Sequence, residues 1–236
     1  MRDADSADWL VLRHRAALMQ RLADLVRGGH RHYVTGSVSR DKAARLAAKF
    51  VALYQVDQHR MQASRRRSAG QAAFRLLMHA QPGAGEIGWW LLRSDGAVPA
   101  EALRERWRDA LVERLVVGTY ELVRQTRPGA RQPAWTWRYI ADQERALREA
   151  CLRAIRNGRN DELRQLIDTL HRTPGFAGAR TQVKRLRDLI ESEWRRLHRH
   201  REPVPEMPAR LGYVQRLPDI GWKLSEFGRR RRGHRA

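Results

Sequence analysis

The chain has 236 residues, of which 47 are Lys or Arg and 26 are Asp or Glu, so its formal net charge at pH 7 is +21. A surface this cationic attracts polyanions through its summed electric field. The 42% apolar content and eight tryptophans exclude a wholly disordered basic tail. The only cysteine, Cys151, excludes an internal disulfide and a cysteine-based zinc site.

No apolar run reaches the roughly 18 to 20 residues that a membrane-spanning helix needs. The first eight residues are polar and acidic, unlike the start of a secretory signal. We therefore expect a soluble, cytoplasmic protein without a membrane partner.

Alternation of apolar residues indicates strands, and their recurrence every three or four positions indicates amphipathic helices. Gly28-Gly29 and Asn157-Gly158 mark helix ends, and Gln81 to Gly85 has the composition of a hairpin turn. In chain order the pattern predicts a helix at 8–27, a strand at 32–38, a helix from Ser39 or Asp41 to Tyr54, strands at 71–79 and 87–93, a helix at 99–115, strands at 120–126 and 134–140, and helices at 142–157, 160–172 and 178–200.

This order predicts an α+β fold, with a small antiparallel or mixed sheet backed by helices, a helical C-terminal part and an extended basic tail. We expect an α+β domain at 1–140, a helical region at 141–201 and an arm at 202–236. Four prolines favour an extended conformation for the arm. They are Pro203, Pro205, Pro208 and Pro218.

The positive charge is concentrated in two blocks, because residues 29–80 and 194–236 each carry a net charge of +8. Within the first block, Arg60, Arg65, Arg66 and Arg67 stand together with few acidic neighbours. Guanidinium groups form charge-assisted, often bidentate hydrogen bonds with phosphate oxygens. We predict that these arginines bind a nucleic-acid backbone. The alternative is a solvated loop or helix face.

The second block holds Arg195, Arg196, Arg199 and Arg201 at the end of the longest predicted helix, interleaved with His198 and His200. Cations near a helix C-terminus are favoured by the helix dipole, which is the structural explanation. Because the cluster exceeds what capping requires, we also predict a nucleic-acid contact here. The arginines that end the tail add a non-specific electrostatic arm. They are Arg229, Arg230, Arg231 and Arg232.

Aromatic residues lie in two of the predicted strands. Trp135, Trp137 and Tyr139 alternate onto one face, whereas the adjacent Trp89 and Trp90 point to opposite faces. An exposed trio would stack on unpaired bases. Aromatic residues with strand periodicity are more often part of the core, and we favour that interpretation.

Catalytic motifs are absent from the sequence, and no histidine pair has the carboxylate or cysteine neighbours of a metal site. We therefore predict no metal and no cofactor. The alternative is an enzyme in which His30, His32 or Tyr33 acts on a scissile phosphate, since histidine serves as a general acid or base near neutral pH.

We thus expect a non-enzymatic, arginine-rich accessory protein that binds RNA or DNA within a nucleoprotein complex, with other protein subunits as partners. One alternative function is a metal-independent endoribonuclease that uses His30, His32 and Tyr33. A further alternative is a basic scaffold that binds only protein. The predicted architecture is similar in class to small proteins of bacterial mobile elements or RNA-guided complexes, an analogy that assigns no residue a role.

Overall fold

A computed structural model describes residues 8–126, 129–199, 202–207 and 211–229 of the chain. The fold is α+β with a helical C-terminal part, which confirms the predicted class. The described residues form two compact units: the first extends to Leu115 and resumes at Arg216, and the second is Val116–Gln215. The boundaries expected from composition, after residues 140 and 201, remain predictions.

The strands are β1 (Leu10–Leu12), β2 (His32–Ser39), β3 (Phe74–His79), β4 (Glu86–Arg93), β5 (Arg108–Asp109), β6 (Val116–Val117), β7 (Tyr120–Gln125), β8 (Ala134–Tyr139) and β9 (Gly221–Lys223). The α-helices are α1 (Arg15–Arg27), α2 (Arg40–Tyr54), α3 (Arg60–Ser68), α4 (Ala141–Arg156), α5 (Asn160–His171), α6 (Ala177–His198) and α7 (Leu224–Arg229). A short 3-10 helix covers Ala100–Arg104. None of the helices in the described ranges combines the length and the apolar run that crossing a bilayer requires.

The first unit is built on a six-stranded mixed sheet with the order β5-β2-β4-β3-β1-β9. Strands β2, β3 and β4 form an antiparallel centre, in which Thr35 pairs with Trp90 and Trp90 with Leu77. Strand β1 joins β3 in parallel and β9 antiparallel. The chain therefore leaves this sheet after β5 and returns to it about a hundred residues later.

Helix α2 covers one face of this sheet because its buried residues recur with helical spacing. The Tyr54 ring stacks on Phe74 of β3 with ring centres 5.1 Å apart, and the Phe50 ring meets Trp89 of β4 edge-on with ring centres 5.3 Å apart. Trp89 closes the layer over Gly36, where a Cβ would lie 2.7 Å from the indole. Leu224 of α7 belongs to the same apolar cluster, so the end of the chain completes this core.

Helix α1 packs against β1 and β3 and contributes nothing to that cluster, so it lies on the opposite face. Successive side chains of a strand point to opposite faces. Arg75, Leu77 and His79 therefore lie on the α1 side, because Phe74, Leu76 and Met78 belong to the α2 side. The prediction that Trp89 and Trp90 face opposite ways follows the same alternation, and Trp90 lies over Gly88.

The second unit holds a three-stranded antiparallel sheet, β6-β7-β8, and the helices α4, α5 and α6. Helix α6 packs on β8, and Gln182 fixes the pair by accepting from the Tyr139 N–H at 2.7 Å and donating to its carbonyl at 3.1 Å. Trp137 is fully buried beneath this contact, and Cys151 lies in the helical core. Cys151 is therefore a packing residue.

Two predicted helices are wrong in part. The helix at 8–27 begins only at Arg15, because Leu10–Leu12 pairs with β3 and β9 as a strand. The helix at 99–115 is replaced by the 3-10 turn and the two-residue strand β5, which pairs with His32 and Tyr33. Of the apolar residues in this segment, Leu103 and Leu111 are 75% and 50% exposed, whereas Ala110 and Leu115 are buried.

Strand β9 holds the end of the chain against β1, and we predict that this contact depends on Gly221. A Cβ at Gly221 would collide with the carbonyl oxygen of Val11, the residue before its cross-strand partner Leu12. We expect Gly221→Ala to lower the free energy of unfolding by roughly 1 to 3 kcal/mol. Faster proteolysis of the segment after Arg216 should accompany this loss.

Gly212→Ala is the matched control, because a Cβ there meets no atom within 4 Å. Urea unfolding and limited proteolysis measure both effects. Equal behaviour of the two variants would contradict the importance of β9.

Candidate nucleic-acid interface

Helix α3 is a short basic helix held at its N-terminus by a reciprocal cap. The His59 ring accepts a hydrogen bond from the Met61 N–H, and Gln62 Oε1 accepts from the His59 N–H at 3.1 Å. Ala63 is its one buried residue. The helix therefore lies on the surface, with its N-terminus capped and only Ala63 packed against the core. Its long side chains do not contribute to the core.

The four arginines of α3 differ in their contacts. Arg66 donates to Gln55 Oε1 at 2.8 Å, and Arg67 donates to the Gly28 carbonyl at 3.0 Å. Arg60 and Arg65 are exposed. Among the described residues, none of the four forms an ion pair with a carboxylate.

A second basic surface, which the sequence analysis did not assign to the site, lies on α2. Lys42, Arg45 and Lys49 follow one another at helical spacing on its exposed side, and the structure gives none of them an ion pair within the described ranges. The spacing of three and four residues was visible in the sequence. The signal was missed because the apolar side of the same helix dominates its pattern.

Several cations of the second unit are paired with acids three or four residues away along the chain. Ion pairs three or four residues apart on a helix surface are ordinary helix-stabilising contacts. They are Arg145–Asp142, Arg159–Glu162, Arg164–Asp161, Lys184–Asp188 and Arg195–Glu191. Arg148, Arg153 and Arg185 of α4 and α6 are also exposed without an ion pair among the described residues, so basic residues without a carboxylate partner are more frequent on α2 and α3 but are not confined to them.

The predicted contact at the end of α6 is largely occupied by the protein itself. Glu193, only 10% exposed, accepts from Arg156 at 2.7 Å and from Arg196 at 2.8 and 2.9 Å. His198 stacks on Trp194 with ring centres 4.0 Å apart and contacts Glu202. Arg195 and Arg196 therefore have acidic partners within the protein, and the nucleic-acid contact expected at this helix end stays a prediction.

Only some of the remaining arginines of the second block lie within the described residues. Arg199 ends α6 in a left-handed conformation, and Arg201 lies outside the described residues. Arg229 is the last residue of α7, whereas Arg230, Arg231 and Arg232 also lie outside the described residues. Since α7 packs against α2, the described C-terminus belongs to the unit that carries α3.

The aromatic residues of β8 belong to the core rather than to a stacking platform. Trp137 is fully buried and Tyr139 stacks on Tyr120 at 4.7 Å. Trp135 alone is partly exposed, with the Arg124 guanidinium 5.9 Å from its ring centre.

The candidate catalytic residues do not converge on one point. His30 is buried, and His32 shares a 2.8 Å hydrogen bond with Asp95, which lowers the pKa of that carboxyl. The Tyr33 hydroxyl donates to backbone carbonyls of Glu113 and Arg114, and burial raises its pKa. Within the described ranges, no three His, Cys, Asp or Glu side chains group in a way that could hold a metal ion.

Comparison of the chain with protein-family models, with curated proteins and with solved structures gives no match. The interpretation of the site therefore rests on its geometry and charge.

We predict that Glu193 stabilises the second unit in a pH-dependent way. Its hydrogen bonds to Arg196 and Arg156 lower the pKa of its carboxyl from 4.5 to about 2. The stabilisation is therefore complete above about pH 4.5 and is lost as the pH falls towards 2. Glu193→Gln should cost roughly 1 to 3 kcal/mol of unfolding free energy at pH 7, and almost nothing near pH 2.

Urea unfolding across this pH range gives the measurement. Glu191→Gln is the control, because Glu191 forms one exposed ion pair on the same helix. A pH-independent difference between Glu193→Gln and the unchanged protein would contradict the assignment.

Proposed function

We propose that this protein binds the phosphate backbone of RNA or DNA through the exposed basic surface of α2 and α3, as an accessory subunit of a nucleoprotein complex. The observation that carries the proposal is the unequal distribution of acids. Lys42, Arg45, Lys49, Arg60 and Arg65 are exposed and form no ion pair among the described residues, whereas the exposed cations of α4 to α6 are mostly paired.

An exposed cation with a nearby carboxylate is already neutralised, so a polyanion must compete with that carboxylate to bind it. A cation without such a partner attracts phosphate without competition. Its binding also releases counterions from the nucleic acid, and the entropy of this release favours association. Non-specific affinity should therefore come from α2 and α3 rather than from α6. Contacts of this kind position a protein on the backbone and carry no sequence information.

A binding subunit fits the geometry better than a nuclease does. A general base must come within hydrogen-bond reach of the proton that it removes. His32 Nε2 and the Tyr33 hydroxyl already form hydrogen bonds within the protein, and His30 is only 7% exposed. The described residues thus support the binding of phosphates and supply no assembled acid-base pair.

The double variant Arg60→Gln/Arg65→Gln tests the proposal. We expect its affinity for single-stranded RNA, single-stranded DNA and duplex DNA to fall by at least about tenfold at low salt, with little difference among sequences. For duplex DNA, the slope of log K against log salt should become shallower by about 2, because two phosphate contacts are lost. Fluorescence anisotropy with labelled strands of equal length, repeated across a salt series, measures both quantities.

Arg145→Gln/Arg164→Gln is the matched control, since it removes the same charge from two exposed arginines that are paired with Asp142 and Asp161. We expect its affinities to stay within about twofold of the unchanged protein. Equal losses in both double variants would show that only net charge matters and would reject the α3 site. No binding by the unchanged protein, or binding that ignores salt, would reject the function itself.

A further inference from the structure

His30 is a buried histidine whose ring makes no hydrogen bond among the described residues. It follows α1, and its backbone N–H donates to the Leu25 carbonyl at 2.9 Å. The residue is only 7% exposed, and both ring nitrogens are buried without a partner. A buried polar group left without a partner costs roughly 1 to 3 kcal/mol, so its retention calls for an explanation.

Two guanidinium groups lie close enough to His30 for their charges to act on its ring. Arg67 donates to the Gly28 carbonyl, two residues before His30. Arg75 belongs to β3, in the cross-strand row that contains Leu92 and Tyr33, on the face that α1 covers. Burial, followed by the charges of Arg75 and Arg67, lowers the pKa of His30 to about 4.

This convergence of positive groups has no internal counterion. Neither Arg67 nor Arg75 forms an ion pair with a described carboxylate, and the charge of Arg67 lowers the pKa of Arg75. The C-terminal dipole of α1 favours one cation beside Gly28, which accounts for Arg67. It does not account for a second, half-buried guanidinium and a buried imidazole at the same place.

We propose that His30, Arg67 and Arg75 form a binding pocket for one phosphate group. Two planar guanidinium forks match the oxygens of a phosphate, and the imidazole can donate a further N–H to it. The bound anion would replace the repulsion between the two guanidinium groups by attraction to a common centre, and the neutral imidazole would serve only as a hydrogen-bond donor. This site would belong to the proposed nucleic-acid function, and it rests on that function only for the origin of the phosphate. The phosphate would be either the end of a nucleic-acid strand or an internal linkage.

Inorganic phosphate is the first probe, with NMR of the histidine and arginine side chains as the readout. We expect phosphate to shift the His30 ring resonances and the Nε signals of Arg67 and Arg75. Arg75→Gln should weaken phosphate binding by about tenfold, and Arg75→Lys, which keeps the charge without the fork, should weaken it less. Unchanged His30 resonances at saturating phosphate would overturn the pocket.

Arg93→Gln is the matched control. Arg93 is also half-buried, and it stands on the neighbouring strand β4, but it lies over Trp107 on the α2 side of the sheet. We expect this variant to bind phosphate within about twofold of the unchanged protein. An equal loss in both variants would overturn the pocket, and circular dichroism of each variant confirms that the comparison is between folded proteins. If Arg75→Gln does not fold, His30→Gln is compared with Arg93→Gln in its place.

The source of the phosphate is decided with two octanucleotides that differ only in carrying a 5′-phosphate or a 5′-hydroxyl. Tighter binding of the 5′-phosphate form, abolished in Arg75→Gln, assigns the pocket to a strand end. Equal binding of both forms, weakened equally in Arg75→Gln, assigns it to an internal linkage. Binding of both forms that ignores Arg75→Gln would overturn the pocket as part of the nucleic-acid site.

Failure of the pocket and failure of the proposed function give different results. If the pocket is wrong and the function right, octanucleotides bind and respond to Arg60→Gln/Arg65→Gln but not to Arg75→Gln. If the function is wrong and the pocket right, inorganic phosphate shifts the His30 resonances while neither octanucleotide binds.

Discussion

The pairing of β1 with both β3 and β9 is the constraint on which the first unit depends. Leu10–Leu12 has a neighbour on each side, one from the centre of the sheet and one from the last part of the chain. This pairing brings Leu224 into the core beneath α2 and leaves α7 packed against that helix. The position of β9 and α7 therefore depends on the pairing of three residues near the start of the first unit.

The position of α3 follows from the same sheet. Helix α2 packs its apolar side on the centre of the sheet and ends at Tyr54. The segment that follows lies at the edge of the core and buries only Val56 before α3 and Ala63 within it. A helix with so little buried surface contributes little to stability. Core packing therefore does not restrict its exposed positions, and these can carry charged residues. Helix α2 thus packs its apolar side on the core and presents its basic side, next in sequence to α3, to solvent.

Much of the secondary structure could be predicted from the sequence, because long amphipathic helices and paired hairpin strands carry strong periodic signals. The exceptions depend on tertiary contacts. Leu10–Leu12 continues the helical pattern of α1, and only a parallel partner 67 residues away in the sequence makes it a strand. For the site, the clustering of arginines in the sequence pointed to the segment that forms α3. The sequence does not show which arginines pair with a carboxylate, because that depends on the fold, as the contact of Arg196 with Glu193 illustrates.

His30 shows why clustering alone was an incomplete guide to the site. In the sequence it stands two residues from His32, which suggests one shared role, yet it ends in a different environment from its neighbour. His32 meets Asp95 at the surface, whereas His30 is buried beside two guanidinium groups. An imidazole in such a place stays neutral at pH 7 and is poorly suited to exchange protons with solvent. It is better suited to donate an N–H to an anion that balances the charges of Arg67 and Arg75, as we propose.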